Sequence, residues 1–253
     1  LKVLIITNFF PYLNNKSRGI FVVNRLKEYS KFSLNTEIIG ISFQESVSIK
    51  TLKKFFHRQP LTPIECYNGI SFNYVKVKRN TLSVFLHKLL NISWVKRQVD
   101  NVSKSVERNV EKVDLIHAHG MFLPVPAGVV ARNLSKITNV PYVITVHGSD
   151  INYQMNHKRL RSLYIEALEN ASKVIFVSNQ LLERAKSYGY SGKNAKVIPN
   201  GFDPRIFFPR DKNQVRQELG IYKENAKYVG YVGGLKYVKR SDKLPEIFYQ
   251  IAN

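Results

Sequence analysis

The chain has 253 residues, enough for one large domain or one domain and part of another. With 44% hydrophobic and 23% charged residues it reads as globular, which excludes disorder and low complexity. Its one cysteine, Cys66, excludes an internal disulfide framework and any multi-cysteine metal site, and no apolar run approaches the ~18 residues of a membrane span. Lys and Arg number 39 against 18 Asp and Glu, a net charge of +21, and residues 1–110 hold 18 basic and 6 acidic side chains. Such a field favours anionic partners (nucleic acid, acidic membrane, phosphorylated substrates) without choosing among them.

Short β-branched runs alternate with helical patterns. Strands are predicted at Lys2–Thr7, Thr36–Ile41, Ile70–Val77, Val113–His119, Pro141–Val146, Lys173–Val177 and Lys196–Ile198. Helices are predicted at Gly19–Phe32, Leu82–Glu111, Leu123–Thr138, Lys158–Asn170 and Gln180–Ser187. Continuous apolar runs such as Val3-Leu4-Ile5-Ile6 suit strands covered on both faces. The alternation predicts an α/β fold with a doubly wound, mainly parallel sheet. The turn cluster Pro199-Asn200-Gly201-Phe202-Asp203-Pro204 marks a boundary, giving domains 1–200 and 201–253. Beyond it a helix at Asn213–Leu219, a strand at Lys227–Val232 and a helix at Lys239–Ile251 read as the start of a second domain.

Doubly wound sheets bind ligands beyond the carboxyl ends of their strands, so the chemistry is sought there. No G-x-G-x-x-G follows the first strand and no G-x-x-x-x-G-K-[ST] occurs, which disfavours nicotinamide dehydrogenases and P-loop kinases. The loop from Asn8 ends in Arg18-Gly19 at a helix start, either an anion-receiving turn or a plain loop. His117 and His119 share one strand face; they lack a third ligand nearby in sequence, so a polar role lining a cleft is preferred to a metal. In Thr145-Val146-His147-Gly148-Ser149-Asp150, the imidazole of His147 precedes a glycine, and Ser149 or Asp150 suits a helix N-cap. Ser178 is likewise either a cap or part of a site, and no G-x-S-x-G elbow supports a serine hydrolase.

Together these segments resemble the amino-terminal half of retaining glycosyltransferases of the GT-B fold, two Rossmann-like domains, in the group 1 family also called glycosyltransferase family 4. The matching elements are Phe10-Pro11, Arg18-Gly19, Asp114–Gly120, Thr145–Asp150, Val174–Ser178 and Val197-Ile198-Pro199-Asn200-Gly201-Phe202-Asp203 with Phe207 and Pro209. The resemblance implies transfer of a sugar from a nucleotide-sugar donor to a glycan or lipid-linked acceptor, with retention and without a metal or other cofactor. It implies an acceptor-side first domain in which His147 works at the reaction centre. Arg18, His119, Ser149, Asp150 and Ser178 would line the acceptor cleft. Gly19, Asn200 and Gly201, with Lys236, Lys239 and Arg240, would serve the donor. The chain departs from the family at Gly233-Gly234, where a Gly-Arg pair is expected, and the family's two-glutamate motif lies beyond residue 253. On this reading the chain is a fragment holding the truncated start of the second Rossmann-like domain, inactive alone and able to dimerise through that domain's strand edge.

Two segments are both basic and apolar, Lys50–Arg58 and Thr81–Val110. One reading is a core-facing helix with a solvated face. The other is contact with an anionic membrane through Phe55, Phe56, Trp94, Lys96 and Arg97. A cytoplasmic protein, peripheral at the inner membrane face, is the expectation. A non-catalytic carbohydrate-binding or nucleic-acid-binding protein of the same fold is the alternative, although no nucleic-acid motif appears and no nucleic-acid partner is expected.

Overall fold

The computed structural model describes residues 1–32, 34–45, 62–79, 92–109, 113–235 and 237–252. They fall into two compact units, 1–201 and 202–253.

The first unit is built on strands β1 (Lys2–Thr7), β2 (Asn35–Glu45), β5 (Asn73–Arg79), β6 (Leu115–His119), β7 (Tyr142–Val146), β8 (Lys173–Phe176) and β9 (Ala195–Val197). They form one seven-stranded sheet in the order β5-β2-β1-β6-β7-β8-β9, and every neighbouring pair is parallel. The doubly wound α/β sheet expected from the alternation is thus present. The chain winds outward from β1 through β2 to β5, then returns to the other side of β1 with β6. The order therefore reverses between β1 and β6, and the crevice of such a sheet lies outside those carboxyl ends.

Apolar residues on successive positions of β1 explain its central place. Val3 and Ile5 join Phe10, Val22, Val23, Leu26, Ile38 and Phe72 on one face, while Leu4 and Ile6 join Ile39, Ile41, Val95, Val99, Ile116 and Ile144 on the other. Helix α1 (Ile20–Lys31) covers the first face. Helices α2 (Ile92–Asn109), α3 (Ala127–Thr138) and α5 (Lys158–Glu169) cover the second. On α2, Val95, Val99, Val102 and Val106 make one buried stripe at spacings of four and three.

Three expectations shift. The run Ile70–Val77 is two elements. Cys66–Tyr67 (β3) and Ile70–Ser71 (β4) form an antiparallel hairpin, and β5 starts only at Asn73. Its turn is Asn68-Gly69, both at positive φ (52° and 78°), the chemistry of a type I′ hairpin. Helix α3 begins at Ala127 rather than Leu123. Pro126 is extended at its N-cap, its carbonyl accepting from the N–H groups of Val129 and Val130, so Leu123 and Val125 reach the core from a loop. The expected helix over Leu82–Glu111 is seen as Ile92–Asn109, and the rest of that range lies outside the described residues.

The second unit holds α7 (Lys212–Glu218), two short 3₁₀ turns and α8 (Leu244–Ala252). The strand expected at Lys227–Val232 is not formed. A strand is held by ladder hydrogen bonds to a neighbour, and none of the described residues pairs with this segment. The dimer expectation loses the strand edge on which it rested. None of the unit's described residues whose side chains are characterised is buried.

Candidate active site

The carboxyl ends of β1, β6 and β7 deliver Phe9, His119, Gly120 and His147 to one place. The His119 and His147 rings lie 5.4 Å apart and nearly parallel, with Nδ1 of His119 3.1 Å from Nε2 of His147. Phe9 and Phe21 close on His147 at 5.4 and 4.5 Å between ring centres. Phe9 also packs edge-on against Phe21 and Phe122. His117 lies tilted against His119 at 4.3 Å and uses both nitrogens, Nε2 with Thr145 Oγ1 at 2.8 Å and Nδ1 with Tyr29 OH at 3.3 Å. Four of the six ring nitrogens bond to one another or to hydroxyls, and no group of three His, Cys, Asp or Glu able to hold a metal occurs among the described residues.

Arg25, on α1, reaches over this cluster. It donates from one terminal nitrogen to Thr145 Oγ1 and from the other to Asn200 Oδ1, each at 3.3 Å. Burial first, and this guanidinium second, hold the His117 and His147 rings down to about 3. Burial, the neighbouring imidazoles and Arg25 also keep His119 well below the ordinary histidine range. All three are neutral at pH 7. Tyr29, one helical turn from Arg25, is pushed up by burial, with Arg25 opposing. Within the His119–His147 pair, one ring donates and the other accepts. Whichever tautomer holds, the far nitrogens, His119 Nε2 and His147 Nδ1, are one donor and one acceptor, and both are buried without a partner.

The expected site residues separate. His147 and His119 meet directly, and Asn200 is joined to Arg25 rather than to either ring; the His147 ring is more covered than its place before a glycine suggested. Gly19 is fixed by local packing rather than by an open approach. At φ +70°, a Cβ there would stand 2.6 Å from the Phe10 nitrogen and the Phe9 carbonyl carbon. Gly148, at φ +121°, does border open space. Asp150 is buried and turned inward, its carboxylate accepting from the N–H groups of His147, Gly148 and Ile151 at 2.8–3.2 Å. Burial lifts it to about 6 against those donors. Ser149 is exposed at the start of a four-residue helix (α4, Ser149–Asn152), and Ser178 caps α6 (Asn179–Ser187) by accepting from Leu181 N at 3.2 Å. Arg18 lies over the Tyr12 ring at 5.2 Å, with no recorded contact to the histidines. Gly201 is exposed. In the second unit, Lys239 ends a 3₁₀ turn and Arg240 faces Asp242 at 3.9 Å; Lys236, Phe55 and Phe56 lie outside the described residues. Trp94 packs half-buried against the core, while Lys96 and Arg97 are exposed.

Sequence reasoning missed Arg25 and Tyr29. The available signal was their i, i+4 spacing beside the buried stripe Val22, Val23 and Leu26, on the helix that follows the β1 loop.

Comparison with known proteins gives the family and the fold. The chain is 30% identical over 250 residues to TuaC of Bacillus subtilis (strain 168), named as a teichuronic acid biosynthesis glycosyltransferase, covering 97% of this chain and 61% of that protein. It is 25% identical over 187 residues to the N-acetyl-alpha-D-glucosaminyl L-malate synthase of Bacillus anthracis, covering 73% and 46%. The chain thus spans less than two thirds of the length of these relatives. Among solved structures, sucrose-phosphate synthase of Thermosynechococcus elongatus superposes with a TM-score of 0.57 at 14% identity, over 87% of this chain and 52% of that one. HepE of Anabaena, solved with UDP, gives 0.51 at 21% identity over 87% and 50%. Both show the fold. The model of Glycosyltransferase Family 4 matches residues 59–206, more than half of the chain, and the chain belongs to that family.

Proposed function

We propose that the protein of which this chain is part transfers a sugar from a nucleotide-sugar donor to a glycan or lipid-linked acceptor with retention, and that the first unit shapes the acceptor side. The observation that carries the reading is the cluster of His147, His119, His117 and Arg25 at the reversal of a Family 4 sheet. Departure of a nucleoside diphosphate builds negative charge on phosphate oxygens, and fixed donors and cations stabilise it most in the transition state. Lys236, Lys239 and Arg240 of the second unit are the candidates for that duty, and the 253-residue chain alone is expected to be inactive. His147, neutral at pH 7, orients a sugar hydroxyl by hydrogen bonding and is not a general acid.

The test is turnover of the longer protein with a panel of nucleotide-sugars, beginning with UDP-sugars because HepE was solved with UDP. His147→Ala should lower kcat/KM about tenfold or more, roughly 1.4 kcal/mol of transition-state binding. Unchanged kinetics would remove His147 from the site. The exposed Lys96 and Arg97 of α2 support a further element of the reading, attachment at the cytoplasmic face of an anionic membrane.

A further inference from the structure

We propose that Arg25 is an oxyanion receptor: its guanidinium takes a carboxylate or phosphate group carried by one of the sugar substrates. The inference rests on the transferase reading and assigns the charge that its substrate brings to this cleft.

The argument starts from pairing. Arg132, Arg205, Arg210 and Arg240 each face a carboxylate, from Glu166, Asp203, Glu218 and Asp242, and Arg18, Arg161, Arg184 and Arg216 lie over tyrosine rings. Arg25 does neither. Its two recorded bonds go to the neutral oxygens of Thr145 and Asn200, both at the long distance of 3.3 Å, and no carboxylate pairs with it among the described residues. The acid of the neighbouring strand end, Asp150, is buried and occupied by backbone N–H groups. A guanidinium carries five donors in a planar fork that matches an oxyanion, and charge-assisted pairs of this kind are the strong ones.

The surroundings sharpen the charge. The three imidazoles beside Arg25 stay neutral, so its positive charge is not shared with them. Burying a cation without a counter-charge is costly, and a half-buried one at a ligand crevice is matched most simply by the ligand. The unpartnered His119 Nε2 and His147 Nδ1 are a second, independent sign that the polar set is incomplete within the chain. Two sources carry the required group: the diphosphate of the donor, or an acid group on the acceptor sugar.

The experiment titrates the 253-residue chain with inorganic pyrophosphate, with D-glucuronate and with D-glucose, following the histidine ring signals by NMR. At least one anion should shift the His119 and His147 signals, and glucose should not. Arg25→Gln should weaken that binding at least tenfold, with partial retention in Arg25→Lys. A tighter response to pyrophosphate places the source in the donor, and a tighter response to glucuronate places it in the acceptor. Silence with both anions, or undiminished binding in Arg25→Gln, overturns the proposal. Should Arg25→Gln fail to fold, as judged by its melting curve, the wild type and Arg25→Lys carry the same comparison. Turnover by the longer protein is read separately, so anion binding without transfer would sink the transferase reading while leaving the receptor in place.

Discussion

At the scale of single residues, the site is set by groups whose charge the fold suppresses. In the unfolded chain a histidine titrates near 6.5, whereas buried His117 and His147 titrate at about 3 and His119 well below its ordinary range. The fold holds the neutral rings, so their contribution to stability is complete above about 6.5 and is lost as pH falls from there toward 3. Asp150 opposes this. Lifted from 3.8 to about 6, it contributes fully below 3.8, and that contribution disappears as pH rises through 6. Between pH 6 and 4 three histidines act against one carboxylate, each at about 1.4 kcal/mol per pH unit at full difference. The urea midpoint of the chain should therefore fall between pH 7 and pH 5, and His147→Gln should flatten the fall. A midpoint independent of pH over that interval would mean that the rings are not held neutral by burial. The histidines themselves were legible, because they lie at the carboxyl ends of two runs with strand character, Val113–His119 and Pro141–Val146. Arg25 was not, because the sequence shows that a cation sits on a helix but not which strand end it reaches.

At the scale of elements, strands and long amphipathic helices could be read, and short or unpaired pieces could not. The valine stripe of α2 announces a helix with one buried side. The segment Ile70–Val77 looks like one strand until the Asn68-Gly69 turn pairs its first two residues backward. Tyr228–Val232 has strand composition and no neighbour to pair with among the described residues. The same helix α2 carries the membrane proposal, and the structure narrows it. Within α2, Trp94 spends part of its surface on the core, so the proposed contact through this helix rests on the exposed cations Lys96, Arg97, Lys104 and Arg108, partly offset by Asp100 and Glu107. A Lys or Arg near an anionic surface is worth about 1 kcal/mol. Lys96→Glu with Arg97→Glu should then reduce co-sedimentation with phosphatidylserine-containing vesicles by tenfold or more, and salt should weaken the wild type. Equal binding to neutral phosphatidylcholine vesicles would refute the electrostatic contact.

At the scale of the whole molecule, the alternation of patterns conveyed the doubly wound sheet, but strand order emerges only in three dimensions. It is the reversal between β1 and β6 that turns three distant sequence motifs into one site. The two units differ sharply in what they bury. The first wraps β1 and β6 in apolar side chains on both faces. The second leaves Phe202, Ile206, Phe207, Phe208, Val232 and Leu235 exposed. Its helices are seven and nine residues long, shorter than the ~12–15 residues at which isolated helices become even marginal in water. Capping by Asp211, whose side chain accepts from Gln214 N, adds about 1 kcal/mol and does not replace a core. Ordering each residue costs roughly 1–2 kcal/mol of backbone entropy, and little apolar burial opposes that cost here. Amides of 212–218 and 244–252 should therefore exchange with deuterium within seconds to minutes, while those of β1, β6 and β7 persist for hours in the same sample. Protection of the second unit equal to that of β1 would show that its helices are held by packing that covers Phe207 and Leu235.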